Sequence, residues 1–261
     1  MMKRIACGIV VALLFMAWPT VAAAAEDPPQ KIALIEEYHV YPDRTEDFVA
    51  SMTAARDAAA AHGYAYDWDV YALDDLRYLA ITWVDDLAGI DEMLSAWTAV
   101  VAKAQQEGTA EWAEALSASM SQWDTSVWRA RPDLSYAPPD DGSERAYVVW
   151  GMLSIKPGHQ REVDALFREY LRVFAERKFT YGWRVAELML GPGYPVLSFV
   201  DWAPTPGAYW TRHDQEEKDE VLGAKSAEIW SRMLPHIRGF DYVSGHYLPE
   251  LSYHPAKVEE E

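Results

Sequence analysis

The feature that most constrains this chain is a series of short motifs that occurs twice in the same order. Pro42 stands between a strand-like run and a helical run, and Pro157 stands in the same context 115 residues later. Three further pairs of segments match at spacings of 115 to 117 residues: 66–70 with 181–185, 82–85 with 198–201, and 132–136 with 249–253. Because a chance match of four segments in one order is improbable, the sequence predicts a duplicated unit.

Each copy of the unit carries the same predicted elements: a strand, a helix, a hairpin, a helical region and a last strand. We expect the helical regions to be interrupted near Gly108 and Gly223. The predicted elements are 32–41, 43–61, 65–73, 77–84, 87–120 and 126–131 in the first copy, and 146–155, 158–178, 181–190, 196–202, 207–237 and 240–248 in the second. This order, βαββαβ twice, is that of two tandem ferredoxin-like units and predicts an α+β fold.

The first residues predict export. Lys3 and Arg4 precede an apolar run too short to cross a bilayer, and the alanines up to Ala25 offer a cleavage site. We therefore expect a signal peptide at 1–25, a periplasmic or secreted product, and no membrane span after processing. The other predicted divisions are a first unit at 26–137, a linker at 138–145, a second unit at 146–255 and an acidic tail at 256–261.

Composition excludes several partners and chemistries. The full chain carries a net charge of −18, and removal of Lys3 and Arg4 leaves −20, which disfavours nucleic acid and anionic membranes. The single cysteine, Cys7, lies in the predicted signal peptide, so the remainder has no disulfide, thiolate metal site or cysteine nucleophile.

A single ferredoxin-like sheet has helices on one face only, and its other face needs a cover. Two such antiparallel sheets packed face to face satisfy this need, and the arrangement resembles the dimeric α/β-barrel superfamily. That superfamily includes antibiotic-biosynthesis monooxygenases, stress-responsive barrel proteins, NIPSNAP-like proteins, chlorite dismutases and dye-decolourising peroxidases. The resemblance covers nearly all of 32–253 and rests on element order rather than on a catalytic motif, so it implies fold more than activity. A tandem chain can close its own barrel, which leaves monomer and homodimer both open.

The space between the sheets is the predicted ligand site, and two kinds of residue are candidates for it. On the first strand, Glu37 and His39 share a face that we expect to line the barrel, although a solvated strand end fits them equally well. The candidate ligand-binding residues are Trp68, Asp69, Trp150, Trp183 and Arg184. For the two repeated tryptophans, Trp68 and Trp183, packing between helices and sheet is the favoured alternative.

No histidine falls in a compact metal-ligand spacing, so the sequence predicts no metal site and no cofactor. The resemblance suggests one exception, because some relatives in this superfamily bind haem in the second of two such domains; His213 is then the candidate axial ligand. The chain lacks the GxxDG motif of dye-decolourising peroxidases, which counts against that branch.

Four functions remain open at this stage. The leading one is an exported protein that binds a small hydrophobic or aromatic molecule. The others are a cofactor-independent monooxygenase with His39 or Glu37 as the base, a haem protein, and a structural barrel with a filled interior.

Overall fold

The computed structural model describes residues 31–136, 145–179 and 181–256. The first half contains β1 (Ile32–Val40), α1 (Thr45–Ala61), β2 (Asp69–Leu73), β3 (Arg77–Val84), α2 (Leu87–Glu107), α3 (Glu111–Ala118) and β4 (Met120–Ala130). The second half contains β5 (Tyr147–Ile155), α4 (Gln160–Arg177), β6 (Trp183–Leu190), β7 (Val196–Ala203), α5 (Pro206–Lys218), α6 (Glu220–Met233) and β8 (Ile237–Tyr247). The predicted signal peptide, nearly all of the linker and most of the acidic tail lie outside the described residues, and the unit boundaries stay predictions.

The helical region of each half is interrupted once. Between α2 and α3 the break falls at Gly108, which has a φ of 72° and ends α2, as expected. Between α5 and α6 the break falls at Asp219, four residues before Gly223. The Asp219 side chain accepts hydrogen bonds from the amides of Val221 and Leu222 and so caps the start of α6.

The eight strands form one closed antiparallel barrel in the order β1-β3-β2-β8-β5-β7-β6-β4. Each half supplies four neighbouring strands, and the halves join where β2 pairs with β8 and β4 pairs with β6. The helices lie outside the barrel, and the predicted α+β barrel of two antiparallel sheets is confirmed. Since the barrel closes within one chain, it has no unpaired edge.

The structure shifts one of the four segment matches between the halves, that of 82–85 with 198–201. In β1 and β3, Glu36 pairs with Ala80, whereas in β5 and β7, Gly151 pairs with Phe199. The third strands of the two halves therefore correspond at a spacing of 119 residues rather than 116. The extra residues lie in the second hairpin, where β6 runs further than β2 and the turn before β7 is longer than the turn before β3.

The barrel interior is filled by apolar side chains from both halves. Trp128, Trp150 and Trp202 are all less than 9% exposed there, and they pack with aliphatic residues of β1, β3 and β6. Separate cores lie between each sheet and its helices.

The repeated Pro-Asp/Glu-Leu-Ser-Tyr segments, 132–136 and 249–253, cross from one half to the other. Leu134 and Leu251 are fully buried, each in the helix–sheet core of the opposite half. The indole of Trp183 donates to the Leu134 carbonyl at 3.0 Å, and the indole of Trp68 donates to the Leu251 carbonyl at 2.9 Å. These segments therefore fasten the two halves together.

Within the described ranges, no helix combines the length and apolar character that crossing a bilayer requires.

Candidate active site in the second half

A pocket of about 720 Å³ lies between the outer face of the second-half sheet and helices α4, α5 and α6. Its walls are mainly aromatic and come from both layers. The helices contribute Phe167, Tyr170, Phe174, Tyr209, Trp210 and Trp230, and the strands contribute Trp183, Phe199, Phe240 and Tyr242. A concave, largely apolar space of this size suits a drug-sized molecule.

The helix side of the pocket follows from helical periodicity. On α4, Val163, Phe167, Tyr170 and Phe174 recur at helical spacing and face the sheet. Val163 and Phe174 are fully or almost fully buried, while Tyr170 is partly exposed to the pocket.

The strand side depends on one glycine. Gly151 pairs directly with Phe199, and a Cβ atom on Gly151 would lie only 2.2 Å from Cζ of the Phe199 ring. The absence of a side chain thus lets the ring lie over the strand. Phe199 also stacks on Phe240, with ring centroids 5.7 Å apart and an interplanar angle of 7°. These rings give the pocket a flat aromatic floor.

A polar group stands at the α5 end of the pocket. Asp201 on β7 faces Tyr209, Arg212 and His213, which share one side of α5 because they are three and four residues apart. The nearest Asp201 oxygen lies 3.6 Å from His213 Nε2 and 3.7 Å from Arg212 Nη2. The rings of Tyr209 and His213 are in contact, with centroids 4.5 Å apart.

Burial changes the acid–base properties of this group. It raises the pKa of Tyr209 well above the usual range, and the neighbouring Asp201 carboxylate raises that pKa further. Burial also lowers the pKa of Arg212, with the charge of Asp201 opposing this effect. Arg212 nevertheless keeps firm contacts: it donates to the Trp202 carbonyl at 2.9 Å and lies 4.1 Å from the Tyr181 ring centroid. Tyr209 is therefore held neutral beside the Asp201 and His213 pair.

The pocket is acidic. Apart from its tyrosines, the ionisable residues of the lining are Asp201, His213 and Glu217. The lining that the structure describes includes no lysine or arginine; Arg212 contacts Asp201 at 3.7 Å but is not among the lining residues. A neutral or cationic aromatic ligand is favoured over an anionic one in such surroundings.

The structure places the predicted catalytic candidates elsewhere. Ala33 and Ile35 of β1 belong to the interior cluster, so Glu37 and His39 share the inner face of the same strand. There Glu37 receives a hydrogen bond from Arg77 at 2.8 Å. Neither Glu37 nor His39 lines the second-half pocket.

The predicted ligand-binding residues are divided between three environments. Trp150, Asp69 and Arg184 lie on the inner face of the barrel, since Asp69 pairs with Ile81 and Arg184 with Val200 of the interior cluster. Trp68 is buried in the first helix–sheet core.

The fifth of them, Trp183, alone reaches the pocket, at its edge. The haem candidate, His213, also lines the pocket. We therefore move the candidate site from between the sheets to the helix side of the second half. Sequence reasoning missed Phe199 and Asp201, whose alternation on β7 was the available signal.

The fold and the site together define a class. The chain has the dimeric α+β barrel fold, with both sheets supplied by one chain and a pocket beneath the helices of its second half.

Several solved structures share this fold. A candidate monooxygenase from Lactobacillus acidophilus NCFM matches with a TM-score of 0.55 and 7% identity, over 88% of this chain and 98% of that one. An anthrone oxidase-like protein matches with a TM-score of 0.55 and 14% identity, over 85% and 92%. A mutant chlorite dismutase from Candidatus Nitrospira defluvii in complex with cyanide matches with a TM-score of 0.51 and 12% identity, over 85% and 92%.

At these identities the likeness concerns the fold. No protein-family model matches the chain, and no curated protein matches it.

Proposed function

We propose that this protein is exported and oxidises a flat, neutral phenolic or anthrone-type molecule, held in the second-half pocket, without a cofactor. The carrying observation is an aromatic pocket of about 720 Å³ with His213 and Asp201 at one end. The fold shared with a candidate monooxygenase and an anthrone oxidase-like protein supports this choice of chemistry. The alternative is that the pocket binds such a molecule without converting it.

His213 is the proposed general base. Its ring can accept a proton from an acidic C–H or O–H of the ligand, and Asp201 at 3.6 Å stabilises the resulting imidazolium. A ligand bound against the aromatic walls would displace water from this end of the pocket and strengthen the electrostatic interaction. For anthrone, loss of a methylene proton gives a carbanion that reacts with O₂, and the products are anthraquinone and water.

The test is the conversion of anthrone by the purified protein in the presence of EDTA, followed as anthraquinone formed and O₂ consumed above the spontaneous rate. A general base contributes about 10²- to 10⁴-fold, so His213→Gln should lose that factor while anthraquinone still quenches tryptophan fluorescence. His254→Gln is the matched control, because His254 also faces a carboxylate, Asp69, at 3.5 Å but lies outside the pocket. Equal rates in wild type and His213→Gln would refute the assignment of the base.

Binding itself is tested by filling the pocket. Ser226 lines the pocket on α6, and Ser226→Trp should abolish both quenching by anthraquinone and turnover. If Ser226→Trp binds anthraquinone as the wild type does, the ligand lies elsewhere.

Haem is the cofactor that part of this fold class implies, and the pocket residues do not fit it. His213 is in reach, but Nε2, a usual iron-ligating atom of histidine, faces the Asp201 carboxylate. Haem propionates would also meet Asp201 and Glu217, and the described lining holds no lysine or arginine to pair with them. We therefore expect no Soret band that His213→Ala removes after incubation with haemin.

We also propose that the chain is related to NIPSNAP-like proteins and that it is a monomer. Closure of the barrel within one chain favours a monomer, and light scattering after size exclusion decides between monomer and homodimer.

A further inference from the structure

A second polar cluster lies on the inner face of the barrel, on the strands of the first half. Glu37 and His39 are two residues apart on β1 and therefore project to the same side. Asp124 on β4 stands directly opposite Glu37 in the antiparallel register and shares that side. Three potential metal ligands are thus fixed on two adjacent strands, with none of them on a loop.

The distances suit a single ion. His39 Nε2 lies 3.0 Å from Glu37 Oε1 and 3.5 Å from Asp124 Oδ2, and the three ligand atoms all lie within 4.8 Å of one another. Ligands about 2.0–2.2 Å from a tetrahedral Zn²⁺ are separated by roughly 3.3 Å, which is close to the observed spacing. The Gln122 side-chain amide donates to Asp124 Oδ2 and orients that carboxylate, as outer-shell groups do at metal sites.

The histidine nitrogen is a second, independent observation. Less than 1 Å² of His39 Nε2 is exposed, and within the described part of the chain it forms no hydrogen bond, even to Glu37. A shielded ring nitrogen aimed between two carboxylates is left with an unused ligand position.

The local charge also favours a cation. Arg77 contacts Glu37 at 2.8 Å and Asp75 at 2.7 Å, and Asp124 adds a third carboxylate to the group through its contact with His39. Two negative charges are therefore uncompensated when His39 is neutral, and Arg77 competes with an incoming ion for Glu37.

We propose that Glu37, His39 and Asp124 bind one divalent transition-metal ion, with Zn²⁺ as the probe. One imidazole and two carboxylates are a donor set that Zn²⁺ accepts, and three protein ligands leave a position for water. The sequence predicted no metal site because the third ligand lies 85 residues beyond His39 and is brought near only by strand pairing.

The chain contains a built-in control. His254 also has two acidic neighbours, but its Nδ1 faces Asp67 at 3.8 Å while its Nε2 faces Asp69 at 3.5 Å. Because different ring nitrogens face the two carboxylates, this group cannot place all three ligands on one ion.

The experiment is a Zn²⁺ titration of the purified protein after removal of metal with EDTA, by calorimetry and by competition with a fluorescent chelator. We expect one Zn²⁺ per chain, a Kd roughly 100-fold weaker in His39→Gln and in Glu37→Gln, and an unchanged Kd in His254→Gln. Arg77→Gln should tighten binding, because it releases Glu37 from its competitor.

Circular dichroism establishes that each variant is folded. If His39→Gln does not fold, the nearly isosteric Glu37→Gln tests the site in its place. The proposal is overturned if no Zn²⁺ binds, if the His39 and Glu37 variants bind as the wild type does, or if His254→Gln weakens binding equally. Since the anthrone assay runs in EDTA, the two proposals fail independently.

Discussion

Removal of the Leu251 side chain tests the crossing of the terminal segment into the opposite half. Leu251 is fully buried in the core that also contains Tyr64 and Trp68, although it follows the last strand of the second half. Leucine-to-alanine changes at buried sites cost about 2–5 kcal/mol, and the cost is highest where neighbours cannot close the cavity. Rigid aromatic rings surround this site, so we expect Leu251→Ala to lower the free energy of unfolding by about 4 kcal/mol.

The assay is urea and thermal unfolding followed by both tryptophan fluorescence and far-ultraviolet circular dichroism. For a chain of this length each kcal/mol shifts the Tm by about 2–4 °C, so a loss of roughly 8–16 °C is expected. Leu134→Ala, the corresponding change in the other crossing segment, should cost a similar amount, whereas exposed Leu94→Ala should stay within about 0.5 kcal/mol.

Because the crossing segments and the β2–β8 and β4–β6 pairings couple the halves, the two probes should report one transition. A loss below about 1 kcal/mol for Leu251→Ala would refute the packing argument. Two separate transitions in the wild type would refute the coupling.

Three further predictions concern the pocket, acid stability and export. Gly151→Ala should force the Phe199 ring into the pocket, lower the free energy of unfolding by about 1–3 kcal/mol and weaken anthraquinone binding in the fluorescence titration. Gly239→Ala is the control and should leave binding unchanged, because the space around its Cβ position is open. Hydrogen bonding to Arg131 lowers the pKa of Asp133 from 3.8 to about 2, so this carboxylate stabilises the fold above pH 3.8 and the effect is lost as the pH falls towards 2. Asp133→Asn should therefore flatten the plot of urea midpoint against pH between pH 3.8 and 2, and an unchanged slope would contradict this prediction. Expression in a Gram-negative host should yield a periplasmic chain whose intact mass corresponds to cleavage after Ala25, and an uncleaved cytoplasmic chain would exclude export.

The fold could be predicted because it depends on local signals that agree with one another. The alternation in β1 placed Glu37 and His39 on one face, and the guess that this face lines the barrel agrees with the strand registers. The crossing segments could not be foreseen, because the Pro-Asp/Glu-Leu-Ser-Tyr pattern marks a turn without indicating which core receives its leucine.

The pocket was harder to predict because its volume is set by the distance between layers. The distance between helix and sheet depends on which side chains pack between them. A single sequence does not determine that distance, nor which strand residues of the two halves occupy equivalent positions. The position of Phe199 shows the difficulty: the segment match at 198–201 aligned it with Trp83, whereas the strand pairing aligns it with Ala80.

Comparison of the two halves explains why the pocket lies in the second one. The α1 face that meets the first sheet carries Ala55 and Ala59, both buried, and small residues let helix and sheet approach closely. At the corresponding positions α4 carries Tyr170 and Phe174, which line the pocket. Bulky rings on α4 hold helix and sheet apart at these positions, whereas alanines on α1 let the two layers approach closely.

Asp201 and His213, the acid–base pair of the pocket, also have no equivalent at the matched positions of the first half. In the strand correspondence of 119 residues, Asp201 matches Thr82, and the same spacing carried into the next helix matches His213 with Leu94. At these matched positions the first half therefore carries neither the rings of α4 nor the acid–base pair. The aromatic pocket and the Asp201–His213 pair lie in the same half, as expected if both serve one ligand. This is the strongest reason to test His213 and the pocket walls in the same assay.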